Sequence, residues 1–444
     1  MTVRPRKADA PSGGYEDVEA MPHRPPVLLT SADYCGTLAA ARLLGRQGIR
    51  VTMAEPGRSG PASWSRHVER RVRCPPLHDP AVFVDWLLDF GRKNPGHLYY
   101  PTSDDLAWLT AAHREALSEH FLLLTPPLAA LERLLDKASL HALCAQVGLA
   151  TPRAWFPLDR AGLVRVAAEA TFPVLIKQRT QVLSASHSKG LEAATPGELL
   201  DRFETFGRLN PHGSAIANAN PETCLPMVQE LHSEVVEGTL LVAGFADRDG
   251  RILAARAGNK LLQRPRRLGI ALCLEEAPLD RDLVAALGRL CAAAGYYGVF
   301  HVEFIRSAGR HLLIDFNPRY YHHMSFEIVR GMPLPLFVVH AALNDRATLE
   351  SLAAEAARTA EPQGRVFTHW LDLRVMVVGQ RLFGAMTPVE AARWRRWAEA
   401  HRGATIDAVW DGADPWPSVF DVANRLRDWV RHPRSFVRKT LLNQ

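Results

Sequence analysis

Cysteine is scarce: six residues among 444 (Cys35, Cys74, Cys144, Cys224, Cys273 and Cys291), with no close pairs. That scatter argues against zinc ribbons, redox pairs and a disulfide framework, and points to a reducing cytoplasm. Long apolar runs are lacking as well. A spanning helix needs roughly 18 apolar residues in a row, and Leu334–Leu343 is too short. Residues 1–25 have no apolar stretch of the kind a secretory signal carries and read as a disordered tail. Glycine is missing where a dinucleotide site needs it. The turn Ser31-Ala-Asp-Tyr-Cys-Gly36 holds one glycine and not the G-x-G-x-x-G fingerprint, which speaks against a dinucleotide-dependent enzyme. The basic excess is small, +6 from 53 Lys and Arg against 47 Asp and Glu. It suits an anionic small ligand, and without a basic patch interleaved with aromatics it does not imply nucleic acid.

What is present, 47% hydrophobic and 23% charged residues, is ordinary for a soluble globular chain. Pro26–Ser31, a helix over 34–47 and Ile49–Met53 form a βαβ opening that implies a parallel sheet. Further strand signals at Arg71–Cys74, Leu98–Tyr100 and Phe121–Leu124 carry this first domain over 26–130. A helix over Lys137–Val147, closed by Gly148, begins a new unit. It continues through a lysine-bearing strand, Phe172–Gln178, a polar loop, Ser184–Gly190, a helix over 196–206 and a loop-rich stretch over 210–226. Strands at Met227–Leu231, Leu240–Phe245 and Arg251–Ala254, among helices, suggest antiparallel sheet with helices on one face.

The segment Gly298–Arg319 reads as a β-hairpin turning at Ser307-Ala-Gly309-Arg310. Asp315 and Asn317 lie two apart and share a face, and Glu303 lies on the partner strand. Two carboxylates and an amide oxygen make a hard oxygen site of the kind magnesium occupies when it also holds phosphates. Carboxylates about 4 Å apart repel by roughly 4 kcal/mol at an effective dielectric of 20, so the pair calls for a cation.

Five motifs in order carry a family resemblance: Leu135-Asp-Lys137 with Gly148-Leu-Ala-Thr-Pro152; Pro173-Val-Leu-Ile-Lys177; Val228-Gln-Glu230; Gly258-Asn-Lys-Leu-Leu-Gln-Arg-Pro265; and the Glu303, Asp315, Asn317, Arg319 hairpin. Together they resemble the ATP-grasp enzymes over about Pro26 to Pro335. The resemblance implies an α/β N-terminal domain with a Rossmann-like parallel sheet over 26–130. It implies an α+β ATP-grasp fold with antiparallel sheets, divided into a small subdomain (131–226) and a large one (227–335). A mostly helical C-terminal extension follows over 336–444.

The resemblance also implies roles. ATP and one or two Mg2+, or Mn2+, would be the cofactors, with Glu303, Asp315 and Asn317 as metal ligands. Lys137, Lys177 and Lys260 would meet the phosphates. Val228, Gln229, Glu230 and Leu231 would form the adenine hinge, and Glu237 is a candidate for the ribose. Ser184 and Lys189 fall where the family has a glycine-rich phosphate flap, which here is glycine-poor. Asp315 replaces the family's usual glutamate. Arg319 would steady a carboxylate or the charge on an acyl phosphate. By strand spacing His301, two residues before Glu303, faces the same side and either does likewise or is a satisfied core histidine. Arg264, Arg266 and Arg267 could meet an anionic substrate or form a solvated basic turn.

The implied activity is a C–N ligase joining a small-molecule carboxylate to an amine, with a homodimer as its assembly. The alternatives are a nucleotide-binding sensor without chemistry, and a carboxylase served by a separate carrier subunit. The basic segment Arg425–Lys439 reads as a docked C-terminal helix, with contact to a membrane surface as the alternative.

Overall fold

The computed structural model describes residues 24–57, 60–185, 190–232, 238–266 and 269–442. Lys189, Glu237 and Arg267 lie outside them. In the first domain, strands β1 (Val27–Leu29), β2 (Val51–Glu55), β3 (Arg70–Arg73), β4 (His97–Tyr99) and β5 (Phe121–Leu123) form a parallel sheet in the order β3-β2-β1-β4-β5. Its short central strands are buried on both faces, as expected of parallel strands flanked by helices. The helix Cys35–Arg46 runs against the rest of the molecule at Gly36. A Cβ there would stand 2.1 Å from the backbone oxygen of Tyr321, so no other residue fits this approach.

A second, smaller sheet is formed by β6 (Ala154–Trp155), β7 (Val174–Gln178), β8 (Leu191–Ala193) and β9 (Pro226–Glu230), antiparallel in the order β6-β9-β7-β8. Val174, Ile176 and Val228 point into a core with the helices Arg160–Glu169 and Pro196–Leu209. By strand alternation Leu175, Lys177 and Gln229 take the other face. The stretch over 210–226 contains a short helix, Ser214–Ala219, and a 3-10 turn, Pro221–Cys224, and is therefore less irregular than its composition indicates.

The large sheet runs β14-β13-β10-β11-β12-β15-β16. Its strands are β10 (Thr239–Ala246), β11 (Ile252–Arg264), β12 (Ile270–Ala277), β13 (Gly298–Ser307), β14 (Arg310–Asn317), β15 (Val366–Thr368) and β16 (Thr405–Asp407). One face, with Val242, Phe300, Val302, Phe304, Leu313 and Phe316, packs on the helices Lys137–Val147 and Arg281–Ala294.

The C-terminal extension is mostly helical, yet it also supplies β15 and β16, which continue this sheet. The sequence pattern marked neither strand, since each is a three-residue stretch set among helices of the extension. The extension is fastened to the first domain through Asp414. That side chain accepts from Arg42 Nε (2.9 Å), Ser65 Oγ (2.7 Å) and the Arg66 backbone N–H (2.9 Å). The Phe420 ring stacks on Trp64 at 3.6 Å between centroids. The segment Arg425–Lys439, expected as one docked helix, is divided: its first residues end the helix Trp416–Arg431, where Arg425 is bonded to Asp421 and Asp372, and short helical turns Pro433–Phe436 and Val437–Leu441 follow. No helix among the described residues is long and apolar enough to cross a membrane.

Candidate active site

The hairpin β13–β14 closes through Ala308 and Gly309, both with positive φ (48° and 73°), the backbone a two-residue hairpin turn requires. Pairing proceeds regularly from Ser307↔Arg310 to Phe304↔Leu313 and then shifts, so that Glu303 faces Asp315 and His301 faces Asn317. Ile314 is the extra residue of this bulge. Glu303, Asp315, His301 and Asn317 thereby share one face, opposite the apolar layer. Across β10, Leu241 pairs with both Glu303 and Gly258, and Thr239 pairs with Lys260, which puts Lys260 on the same face.

Each carboxylate holds a lysine. Lys260 Nζ lies 2.8 Å from Glu303 Oε2, and Lys137 Nζ lies 2.5 Å from Asp315 Oδ1. Burial alone would push the Glu303 carboxyl up; the Lys260 ammonium outweighs it and holds the group below the usual range. Lys137 is therefore a largely buried, ion-paired group at this site. It opens its helix behind the N-cap Asp136, whose carboxylate takes Ser139 and, side-on, Arg179. Lys177 Nζ donates to Gln229 Oε1 across the small sheet at 3.3 Å. His141, one turn beyond Lys137, is pushed down to about 4, first by burial and then by the charges of Lys137 and Lys177. It thus marks where Lys137 and Lys177 come near each other. The sequence reading passed over His141, and its only signal was the i,i+4 spacing from Lys137.

Arg319, just past β14, closes the group on the side of the first domain. It bonds Asp104 side-on through Nε (2.9 Å) and Nη2 (3.2 Å), and Nη2 also donates to Asn317 Oδ1 at 2.8 Å. Burial works against the guanidinium's charge, and Asp104 more than restores it, so its pKa is raised. Asp104 escaped sequence reading because it lies 215 residues away in the chain.

Several residues stand elsewhere than expected. Val228 is at the centre of β9, flanked by Trp155 and Ile176, with its side chain in the core. Its backbone serves the sheet, and the Glu230 N–H is taken by Arg153. Of the four hinge residues, Leu231 alone lies beyond the strand. Ser184 accepts from Gln178 Nε2 and bridges to His212. Arg264 and Arg266 are neither solvated nor turned to the site; they pair with Asp372 and Glu390 of the C-terminal extension.

The fit to a divalent cation differs among the expected ligands. No group of three or more His, Cys, Asp or Glu side chains able to hold a metal occurs among the described residues. Glu303 and Asp315 suit a magnesium whose remaining ligands are phosphate oxygens and water. Asn317 fits less well, because Arg319 already donates to its oxygen. A metal there would lie on the order of 4 Å from the guanidinium, which costs about 4 kcal/mol per pair of unit charges at an effective dielectric of 20.

No protein-family model and no curated sequence matches the chain. Solved structures do. The biotin carboxylase domain of 2-oxoglutarate carboxylase from Hydrogenobacter thermophilus, described as a dimer with MgADP, ADP and bicarbonate, superposes with a TM-score of 0.57 at 16% identity, over 72% of this chain and 70% of that one. Biotin carboxylase from Campylobacter jejuni gives 0.56 at 14% identity, over 72% and 71%. An L-amino acid ligase from Bacillus licheniformis gives 0.51 at 16% identity, over 72% and 75%. These neighbours are ATP-grasp proteins, and the chain has the ATP-grasp fold.

Proposed function

We propose that the protein is an ATP-dependent ligase. ATP phosphorylates a substrate carboxylate, giving an acyl phosphate and ADP. An amine nitrogen then attacks the acyl carbon, the C–O bond to phosphate breaks, and an amide and inorganic phosphate leave. The observation that carries this reading is one polar sheet face bearing Glu303, Asp315, Lys260 and Asn317, with Lys137 reaching it from the small-subdomain side.

Glu303 and Asp315 would hold magnesium, which supplies charge neutralisation at the transferred phosphoryl group when bound. Lys137, Lys177 and Lys260 would meet phosphate oxygens, each a compact cation suited to the task. Arg319, fixed by Asp104, would orient the carboxylate. Leu231 and His232, just past β9, replace Val228 as the candidate adenine contact. Ser184, Lys189 and Glu237 remain proposed nucleotide contacts. None of these steps needs a protein nucleophile. The work is positioning and electrostatics.

The carboxylase neighbours support a second reading, in which bicarbonate is the carboxylate and a separate carrier accepts it. The test for both is release of ADP and phosphate by the purified protein with MgATP, offered pooled amino acids in one arm and bicarbonate in the other. Turnover stimulated by amino acids supports the amide ligase, and turnover stimulated by bicarbonate alone supports the carboxylase. Nucleotide-induced thermal stabilisation with no turnover in either arm would leave a sensor.

A further inference from the structure

We propose that His301 is a fixed hydrogen-bond donor at Nε2 for an oxygen of the substrate carboxylate, and that Asn317 sets its tautomer and is not a magnesium ligand. The inference rests on the ligase reading and names how that site recognises its acid.

A chain of obligatory donors leads to it. Arginine has no acceptor, so the Arg319 Nη2 contact at 2.8 Å identifies the atom of Asn317 facing it as oxygen. Asp104 pins the same guanidinium from behind, so it cannot swing away without breaking two bonds. The amide nitrogen of Asn317 must then face His301, and it stands 3.2 Å from the His301 carbonyl oxygen and 3.3 Å from Nδ1. An amide N–H only donates. Nδ1 is therefore an acceptor without a proton, and the neutral imidazole carries its hydrogen on Nε2.

That Nε2 has no partner among the described residues, and His301 is only 4% exposed. Tyr321 stacks on the ring at 4.8 Å and His323 meets it edge-on at 4.7 Å. The ring is thus locked in orientation by packing and by Asn317, and a buried donor lacks its acceptor. His301 shares the sheet face of Lys260 and Glu303, with Arg319 beside Asn317; no oxygen among the described residues reaches Nε2, so its acceptor is an oxygen brought by the substrate. A carboxylate and a phosphate both offer one. Arg319, assigned above to the substrate carboxylate, is bonded to the same Asn317 that holds His301, which favours the carboxylate for His301.

The test is 15N-histidine NMR of the full chain with MgADP, the His301 signal being identified by its absence in H301N. The expected wild-type result is the Nε2–H tautomer, shifting on titration with acetate and not with inorganic phosphate. H301Q, which keeps a donor near the Nε2 position, is expected to bind acetate within about threefold of wild type, and H301N at least tenfold more weakly. N317D should move the proton to Nδ1 and abolish the acetate response. An Nδ1–H tautomer in the wild type overturns the proposal. So does a response to phosphate in place of acetate, or an N317D protein with unchanged tautomer and tighter magnesium binding. Failure of the ligase reading shows separately, as absent ADP release whatever the tautomer.

Discussion

Glu303 and Asp315 face each other across the β13–β14 hairpin only because Ile314 is looped out between Leu313 and Asp315. A regular ladder counted from Ser307↔Arg310 would pair Glu303 with residue 314 and turn Asp315 into the apolar layer of Val302 and Phe316. The bulge makes the pair of carboxylates, and the first prediction follows from it. Asp315→Asn should lower ATP turnover by a hundredfold or more, about 3 kcal/mol of lost electrostatic stabilisation. It should also remove the magnesium dependence of nucleotide-induced thermal stabilisation. ADP release and melting curves with and without EDTA check both, and wild-type turnover in this variant would remove the basis of the assignment.

Lys177 offers a second check on the opposite wall. Lys177→Ala removes a cation placed across from Gln229 while leaving the core of the small sheet intact, since Val174, Ile176 and Val228 face away. The expected cost is about 1.5 to 3 kcal/mol in nucleotide affinity, the range for hydrogen bonds to charged groups. The concentration of ATP needed for a given rise in melting temperature should increase tenfold or more.

Asp414 tests the extension. Its carboxylate is 1% exposed and its burial is offset by Ser65, Arg66 and Arg42, which hold its pKa down. Asp414→Ala leaves the buried Arg42 guanidinium with only the more distant Asp411 carboxylate, at 4.0 Å, a loss of up to about 3 kcal/mol. The urea midpoint should fall accordingly, with the slope preserved if the extension and the first domain unfold together.

Glu327 predicts a pH signature. Burial pushes its carboxyl up to about 7, against the lowering effect of Arg330 and of Tyr321. The folded protein therefore holds the proton more tightly than the unfolded chain. That contribution to stability is complete below about 4.5 and is lost as pH rises through 7. Glu327→Gln should remove the loss, gaining on wild type by about 2 to 3 kcal/mol between pH 5 and 8. His301 and His322, both pushed down to about 4 chiefly by burial, act in the opposite sense, contributing above 6.5 and losing as pH falls. The test is accordingly the difference between the two proteins' urea midpoints across pH. A constant difference from pH 5 to 8 would refute the shifted carboxyl.

Local signals carried far in this chain. Lys137–Val147 begins and ends where its cap residues Asp136 and Gly148 indicate, because capping is chemistry among near neighbours. The hairpin turn at Ala308-Gly309 and the lysine-bearing strand β7 are legible for the same reason. The hinge at Val228 misled because strand alternation alone does not say that β6 covers the other edge of β9. Arg264 and Arg266 looked solvated or substrate-facing because their partners, Asp372 and Glu390, lie more than a hundred residues downstream.

The amino-acid order by itself determined the βαβ opening, the pairing of β13 with β14 and the types of side chain available for phosphate and metal. Those follow from turn chemistry and alternation within a few residues. Only the tertiary structure decided which groups meet: Lys137 with Asp315, Arg319 with Asp104, Asn317 with His301, and the face on which Asp315 emerges. A single looped-out residue reverses every side chain beyond it, and contacts across hundreds of residues depend on how whole sheets pack, so neither is written in local sequence.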